Sequence, residues 1–92
     1  NTTVPTEFML YQNYPNPFNP ATVIEFALPS AQNVKLAVYN ILGQEIKVLN
    51  DGPLNPGYHK FTFDGKKFAS GVYFYRVSAG EFSEVKKMVL TK

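Results

Sequence analysis

The chain has 92 residues, 45% of them hydrophobic, which is enough for the core of one small domain. It has no cysteine, and this excludes a disulfide framework and a thiolate metal site as supports for the fold. Its net charge of +2 is too small to favour nucleic acid as a partner, and no apolar run reaches the ~18 residues of a membrane-spanning helix.

The first seven residues are typical of the end of a linker, because they are mostly polar and include Pro5. We expect the domain proper to span residues 8–92 and to begin with a short strand near 8–12. The sequence contains no signal peptide. If the domain is exported, we therefore expect it to be the C-terminal fragment of a longer chain.

The segment from Gln12 to Pro20 follows, and we call it the Asn-Pro loop. Its sequence, Q-N-Y-P-N-P-F-N-P, holds three prolines and three asparagines in nine residues. Proline lacks an amide donor and fixes φ, so the segment cannot form a helix or lie in the middle of a sheet. Asparagine bonds to nearby backbone and tolerates turn geometry. Tyr14 and Phe18 interrupt this run, and we predict that both rings pin a stiff loop onto a core.

Beyond the loop the hydrophobic period is two, and no useful window shows the period of a helix. Side chains alternate between two faces in the segments 22–28, 34–39, 45–49, 58–63, 72–79 and 82–90. Turn residues separate these segments, including Asp51-Gly52 and Asp64-Gly65. With the short first strand the count is about seven, at roughly ten-residue spacing. This pattern predicts an all-β fold, an immunoglobulin-like antiparallel β-sandwich.

Several blocks of sequence carry a resemblance to one protein family. They are the Asn-Pro loop itself, V-Y-N-I-L-G-Q-E at 38–45, P-G-Y-H at 56–59, F-D-G at 63–65, A-S-G-V-Y-F-Y-R-V at 69–77 and K-K-M-V-L at 86–90. In this order and spacing, the chain from about Leu10 to Lys92 resembles the type A C-terminal sorting domain of the type IX (Por) secretion system of Bacteroidota and related bacteria. Two departures are mild: Phe63 stands where tryptophan is usual, and Thr91 where a second aliphatic residue is common.

The resemblance implies that the domain is a secretion signal without enzymatic activity. It implies a passenger on the N-terminal side of the same chain, export through the periplasm and across the outer membrane, and a final place at the cell surface or in the medium. The implied partners are components of the type IX translocon and a sortase-like peptidase that cuts at the preceding linker. The resemblance also implies that the domain is not embedded in the membrane. The implied translocon-recognition residues are Gly71, Tyr73, Lys87, Met88, Val89, Leu90 and Lys92.

The last strand also has a physical interpretation of its own. Met88 and Leu90 share one face and must pack in the core, whereas Lys87 has the opposite parity and should point to solvent. Lysines on an edge strand discourage aggregation. An edge strand with free backbone groups is suited to strand addition, and the resemblance implies that a translocon component reads this strand. Gly71, at the start of the preceding strand, is expected to supply a positive φ or a close approach.

Catalytic and metal-binding chemistry has little support in the sequence. His59 is the only histidine, and its shared parity with Phe61 and Phe63 predicts a structural role. The seven carboxylates are scattered, and Asp51 and Asp64 each precede a glycine, where turn geometry accounts for them. No D-x-D-x-D-G spacing supports a calcium site. We therefore expect no catalytic residue, no metal site and no cofactor.

A function from a different class stays open beside the secretion signal. Tyr39, Tyr58 and Phe74 have the parity of surface residues, and exposed aromatic side chains could form a platform for a sugar. The alternative is thus an immunoglobulin-like accessory or carbohydrate-binding module of a secreted enzyme. A related structural alternative is the Ig-like domain of the flagellar hook-cap scaffold, which the G-x-Y-x-Y pattern at 71–75 also resembles. A gene that stops at Lys92 would favour the sorting signal, and a gene that continues would favour a spacer.

Overall fold

The computed structural model describes residues 5–92, in which the alternating segments form seven strands. They are β1 (Met9–Leu10), β2 (Ala21–Leu28), β3 (Gln32–Tyr39), β4 (Glu45–Leu54), β5 (Gly57–Asp64), β6 (Gly71–Ala79) and β7 (Phe82–Leu90). None of the described residues forms a helix long and apolar enough to cross a membrane. Of the predicted linker tail, residues 1–4 lie outside the described residues, and Pro5 is buried.

The strands form two antiparallel sheets packed face to face. One sheet has the order β1-β2-β5, and the other has the order β4-β3-β6-β7. Hairpins connect β3 to β4 and β6 to β7, while the chain changes sheet after β2, after β4 and after β5. The sandwich of seven antiparallel strands predicted from the sequence is confirmed.

The core lies between the sheets, because alternate side chains of each strand point inward. The buried apolar side chains of this core are Leu10, Phe18, Ile24, Phe26, Leu28, Val34, Leu36, Val38, Phe63, Tyr73, Tyr75, Val77, Ala79, Met88 and Leu90. Large aromatic rings fill much of this interior, since Phe18, Phe26, Phe63, Tyr73 and Tyr75 are all buried. Phe61 is half-buried and stacks on Phe26 with 5.9 Å between ring centroids.

Strand β4 is longer than the sequence predicts. We expected it to end at Leu49, with a turn at Asp51-Gly52, but the strand continues to Leu54 and pairs with β3 over this length. The ladder has a register shift beside Leu36, and the Asn50 side-chain amide donates to the Val34 carbonyl at 2.8 Å. An edge strand also tolerates proline, since one side of it needs no ladder donor. The prediction of a turn at Asp51 is therefore wrong.

The Asn-Pro loop is held in the core by one of its two aromatic rings. Phe18 is 1% exposed, and its ring lies edge-to-face with Phe63 at 6.0 Å between centroids. Tyr14 is 80% exposed, and only its backbone is held, through two hydrogen bonds with Val23 at 3.0 and 2.9 Å. The prediction of a ring anchor is confirmed for Phe18 and wrong for Tyr14. Alternation of side chains predicts which residues of a strand are buried, but it does not apply to a loop rich in proline.

A buried polar network fixes the start of the loop. The Asn13 backbone amide donates to the Tyr75 hydroxyl oxygen at 2.8 Å, and that hydroxyl donates to the Tyr11 carbonyl at 2.7 Å. The Asn13 side-chain amide donates to the Thr22 hydroxyl oxygen at 2.9 Å and to the Pro15 carbonyl at 3.1 Å. Asn13 and Thr22 are both buried, so these bonds satisfy groups that water cannot reach. A core tyrosine of β6 thus holds a loop that lies far from it in sequence.

Replacing Tyr75 with phenylalanine should destabilise the domain by about 1–3 kcal/mol, because the buried Asn13 amide and Tyr11 carbonyl lose their partner. Burial is the main cause that raises the pKa of Tyr75 to about 12, although the Asn13 amide opposes the rise. This pKa lies above the unfolded value of about 10. The stabilisation is therefore complete below about pH 10 and is lost as the pH rises through about 12. Denaturant midpoints of wild type and Tyr75→Phe should differ near neutral pH and converge in this alkaline range, and a constant difference would contradict the assignment.

Candidate recognition site

The predicted recognition residues lie together at one end of the β6–β7 ladder. Gly71 at the start of β6 is opposite Leu90 at the end of β7, and Tyr73 is opposite Met88. Antiparallel pairing thus joins the A-S-G-V-Y-F-Y-R-V block to the K-K-M-V-L block. The two blocks that the sequence analysis singled out separately form one region of the folded domain.

Three of the seven predicted residues face the core. Tyr73 is 8% exposed, Met88 is 0% exposed and Leu90 is 1% exposed. Gly65 leaves space for Leu90, since a Cβ atom at Gly65 would lie 2.9 Å from a methyl carbon of that leucine. The parity argument for Met88 and Leu90 is confirmed. A partner that binds the folded domain cannot touch these three side chains unless the sandwich opens.

The other four predicted residues reach the surface. Gly71, Lys87 and Lys92 are exposed, and Val89 is half-buried. Gly71 has a φ of +148°, a backbone conformation that other residues rarely adopt, but a Cβ there would meet no atom within 4 Å. The positive φ is confirmed and the close approach is not. Lys87 points to solvent, as predicted, and the Lys92 ammonium donates to the carbonyl of Lys66 at 2.8 Å.

Lys87 lies on the outer face of the four-stranded sheet, beside aromatic and aliphatic side chains. The register places Tyr39, Phe74 and Lys87 in one row across β3, β6 and β7. In the next row, Arg76 is opposite Val85, which is 51% exposed. The Arg76 guanidinium lies over the Tyr39 ring at 5.6 Å from its centroid, within the range of a cation–π contact. The surface around Lys87 therefore combines apolar area with positive charge.

The three aromatic residues considered as a sugar platform do not share a surface. Tyr39 and Phe74 are neighbours on the four-stranded sheet, and both are half-buried. Tyr58 is 54% exposed, but it lies on β5, opposite Ala27, in the other sheet. A sugar ring cannot contact all three. The hypothesis of a single platform built from these residues is wrong.

The Asn-Pro loop covers part of the outer edge of β7 with its backbone. The Phe18 amide donates to the Val89 carbonyl at 2.9 Å, and the Thr91 amide donates to the Phe18 carbonyl at 2.9 Å. These two bonds make a short parallel bridge between the loop and the end of β7. Phe18 therefore contributes both its ring to the core and its backbone to the edge.

Two side chains of the same loop bind further backbone groups of this edge. The side-chain oxygen of Asn16 accepts a hydrogen bond from the Val89 amide at 3.0 Å. The side-chain amide of Gln12 donates to the Lys87 carbonyl at 2.8 Å. The expectation of free backbone groups along the last strand is therefore wrong for its C-terminal part. Gln12 and Asn16 were not predicted as site residues. The available signal was their place in a segment rich in proline, because prolines cannot donate backbone hydrogen bonds and side chains must bind the strand instead.

The polar residues considered above as candidates for chemistry have structural partners. The Nε2 atom of His59 lies 2.7 Å from the Asn55 carbonyl, and its ring packs on Phe26 at 5.5 Å between centroids, which confirms the predicted structural role. The carboxylate of Asp64 accepts a hydrogen bond from the Lys66 amide at 2.9 Å, as expected for a turn. Across residues 5–92, no group of three or more potential metal ligands comes together.

A model of the family described as secretion system C-terminal sorting domain matches residues 12–91. The chain belongs to this family. No curated protein matches the chain. The match to the sorting domain begins at Gln12 and ends at Thr91, so it includes both segments that meet at the outer edge of β7. As a type IX sorting signal, the sorting domain accompanies a passenger on its parent chain and addresses it to the secretion machinery.

Proposed function

We propose that the domain carries its passenger through the type IX translocon, across the outer membrane, to the cell surface or the medium. A sortase-like peptidase then removes the domain at the linker before residue 8. The observation that carries this proposal is the family match over residues 12–91. The family is one of sorting signals rather than enzymes, and we assign no reaction to the domain.

Within this proposal, a translocon component binds the open end of the β6–β7 hairpin, where Gly71 is opposite Leu90. The accessible members of the predicted site are Gly71, Lys87, Val89 and Lys92. The buried members, Tyr73, Met88 and Leu90, act through packing, because they hold the hairpin in place against the core. A basic side chain beside apolar area suits a binding surface, since apolar contact supplies affinity and charge supplies specificity.

Export is tested by fusing the whole chain to the C terminus of a periplasmic reporter protein. In a host with a type IX system, we expect the reporter outside the cell, and in a translocon-deficient strain we expect it in the periplasm. The reporter without the domain is the control and should stay periplasmic in both strains. Equal external yield of the fusion in the two strains would overturn the proposal.

Lys87→Glu in the same fusion should reduce secretion without changing stability. A surface substitution usually alters the free energy of unfolding by less than about 0.5 kcal/mol. The reversed charge, however, weakens binding to a partner surface that is complementary to a lysine. Lys47→Glu, at an exposed lysine of β4 on the opposite edge of the sheet, is the matched control and should secrete normally. Thermal melting of the purified variants accompanies the secretion assay. Normal secretion of Lys87→Glu would mean that the translocon senses foldedness rather than this side chain.

A further inference from the structure

The end of β7 presents a closed backbone edge. On its outer side, the carbonyl of Lys87 and the amide and carbonyl of Val89 all have partners in the Asn-Pro loop. The Thr91 amide is bonded to Phe18 in the same way. Strand addition needs unpaired amides and carbonyls along an edge. A partner strand therefore cannot pair with this stretch while the loop is docked.

The loop is fixed to the domain both before this contact and at it. Before the contact, Asn13 is buried and bonded to Tyr75 of β6. At the contact, the Phe18 ring is buried in the core. Displacing the loop would expose an aromatic ring and break the bonds to β7, so the docked form is strongly favoured.

The docked loop and the end of β7 together form a single outer surface. Asn16 and Pro17 are exposed, and the side-chain oxygen of Asn16 accepts a hydrogen bond from the amide of the half-buried Val89, two residues from the exposed Lys87. Asn16 and Val89 are 73 residues apart in sequence. A peptide with the sequence of the last strand alone could not present this surface.

We propose that the Asn-Pro loop and the end of β7 form one composite recognition element, whose outward side chains the translocon component contacts while the edge stays closed. Gln12 and Asn16 are positioning residues: they hold the backbone of Lys87 and Val89 in the geometry that the partner binds. This inference rests on the proposed function. It differs from that proposal in the mode of binding, because it replaces strand addition with recognition of a two-segment surface.

The two amide side chains have opposite roles, and this gives a sharp test. Asn16 acts as an acceptor, so aspartate can replace it and alanine cannot. Gln12 acts as a donor, both to the Lys87 carbonyl and to the side-chain oxygen of Asn13 at 2.7 Å, so neither glutamate nor alanine can replace it. We expect whole-chain reporter fusions with Asn16→Asp to secrete like wild type, and those with Asn16→Ala, Gln12→Ala or Gln12→Glu to secrete several-fold less.

Two measurements on the purified domains separate positioning from loss of fold. Hydrogen exchange at the Val89 amide should become roughly five- to tenfold faster in Asn16→Ala, since one net hydrogen bond is lost, and should stay near wild type in Asn16→Asp. Thermal melting should shift by only a few degrees in any of these variants. Asn19→Ala is the matched control, because Asn19 is exposed in the same loop and takes no part in the hydrogen bonds described between the loop and the end of β7.

Each outcome decides the question. Reduced secretion of Asn16→Ala with recovery in Asn16→Asp supports the composite element. Wild-type secretion of Asn16→Ala, despite faster exchange at Val89, overturns it, and increased secretion overturns it in favour of strand addition on an opened edge. Poor secretion of Asn16→Asp with a protected Val89 amide also overturns it. If the unsubstituted fusion is not exported, the proposed function itself fails, and the inference falls with it.

Discussion

Phe18→Ala should lower the free energy of unfolding by about 3–5 kcal/mol, a large part of the stability expected for a domain of this size. The ring is 1% exposed and packs against Phe63, so its removal leaves a cavity between the sheets. The Phe18 backbone also holds Val89 and Thr91, and its position depends on the ring. Denaturant unfolding of the purified domain measures the change.

Tyr14→Ala is the matched control for this experiment, because it removes an aromatic ring from the same loop. Tyr14 is 80% exposed, and its backbone bonds to Val23 do not need the side chain. We expect a change in the free energy of unfolding of no more than about 0.5 kcal/mol. Similar denaturant midpoints for Phe18→Ala and wild type would show that the loop is not anchored in the core.

Deleting residues 90–92 should abolish both stable folding and export. Loss of the buried Leu90 side chain alone should cost about 2–5 kcal/mol, and the deletion also removes the end of the ladder opposite Gly71. The hydrogen bond from the Thr91 amide to Phe18 disappears as well, which releases the Asn-Pro loop. Thermal melting of the domain and secretion of the reporter fusion are measured in parallel.

Deleting Lys92 alone tests whether the loss of stability in the longer deletion comes from lost packing or merely from a shorter chain. Lys92 is exposed, and its ammonium bonds only to the carbonyl of Lys66 among the described residues. We expect its loss to change the free energy of unfolding by less than about 0.5 kcal/mol. A domain without residues 90–92 that still melts at the wild-type temperature would contradict the packing of Leu90.

The strands were largely predictable, because alternation of side chains is a local signal. Strand β7 has the predicted bounds, since Ala79-Gly80 marks its start and Met88 and Leu90 mark its buried face. Strand β4 shows where local signals fail. Its Asp51-Gly52 pair favours a turn in isolation, but pairing with β3 overrides that preference.

The candidate site was predictable in part for the same reason. Parity separates the exposed Lys87 from the buried Met88, and no distant contact is needed to see this. The covered edge of β7 could not be predicted, because it depends on side chains of Gln12 and Asn16 meeting a strand that is distant in sequence. A loop rich in proline has no period from which the direction of each side chain could be inferred.

The bridge between Phe18 and Leu90 makes docking of the Asn-Pro loop depend on the last strand of the domain. The Asn-Pro loop precedes most of the strands in sequence, yet its docking place lies on β7, the last strand, which also pairs with β6. Contacts between residues so far apart form slowly, because closing the long intervening segment costs entropy before the contact gives any stabilisation. Without the last strand, the loop lacks the backbone partners that Phe18 has in Val89 and Thr91. A docked loop is therefore a sign, visible from outside the domain, that the chain has been folded through to its final strand.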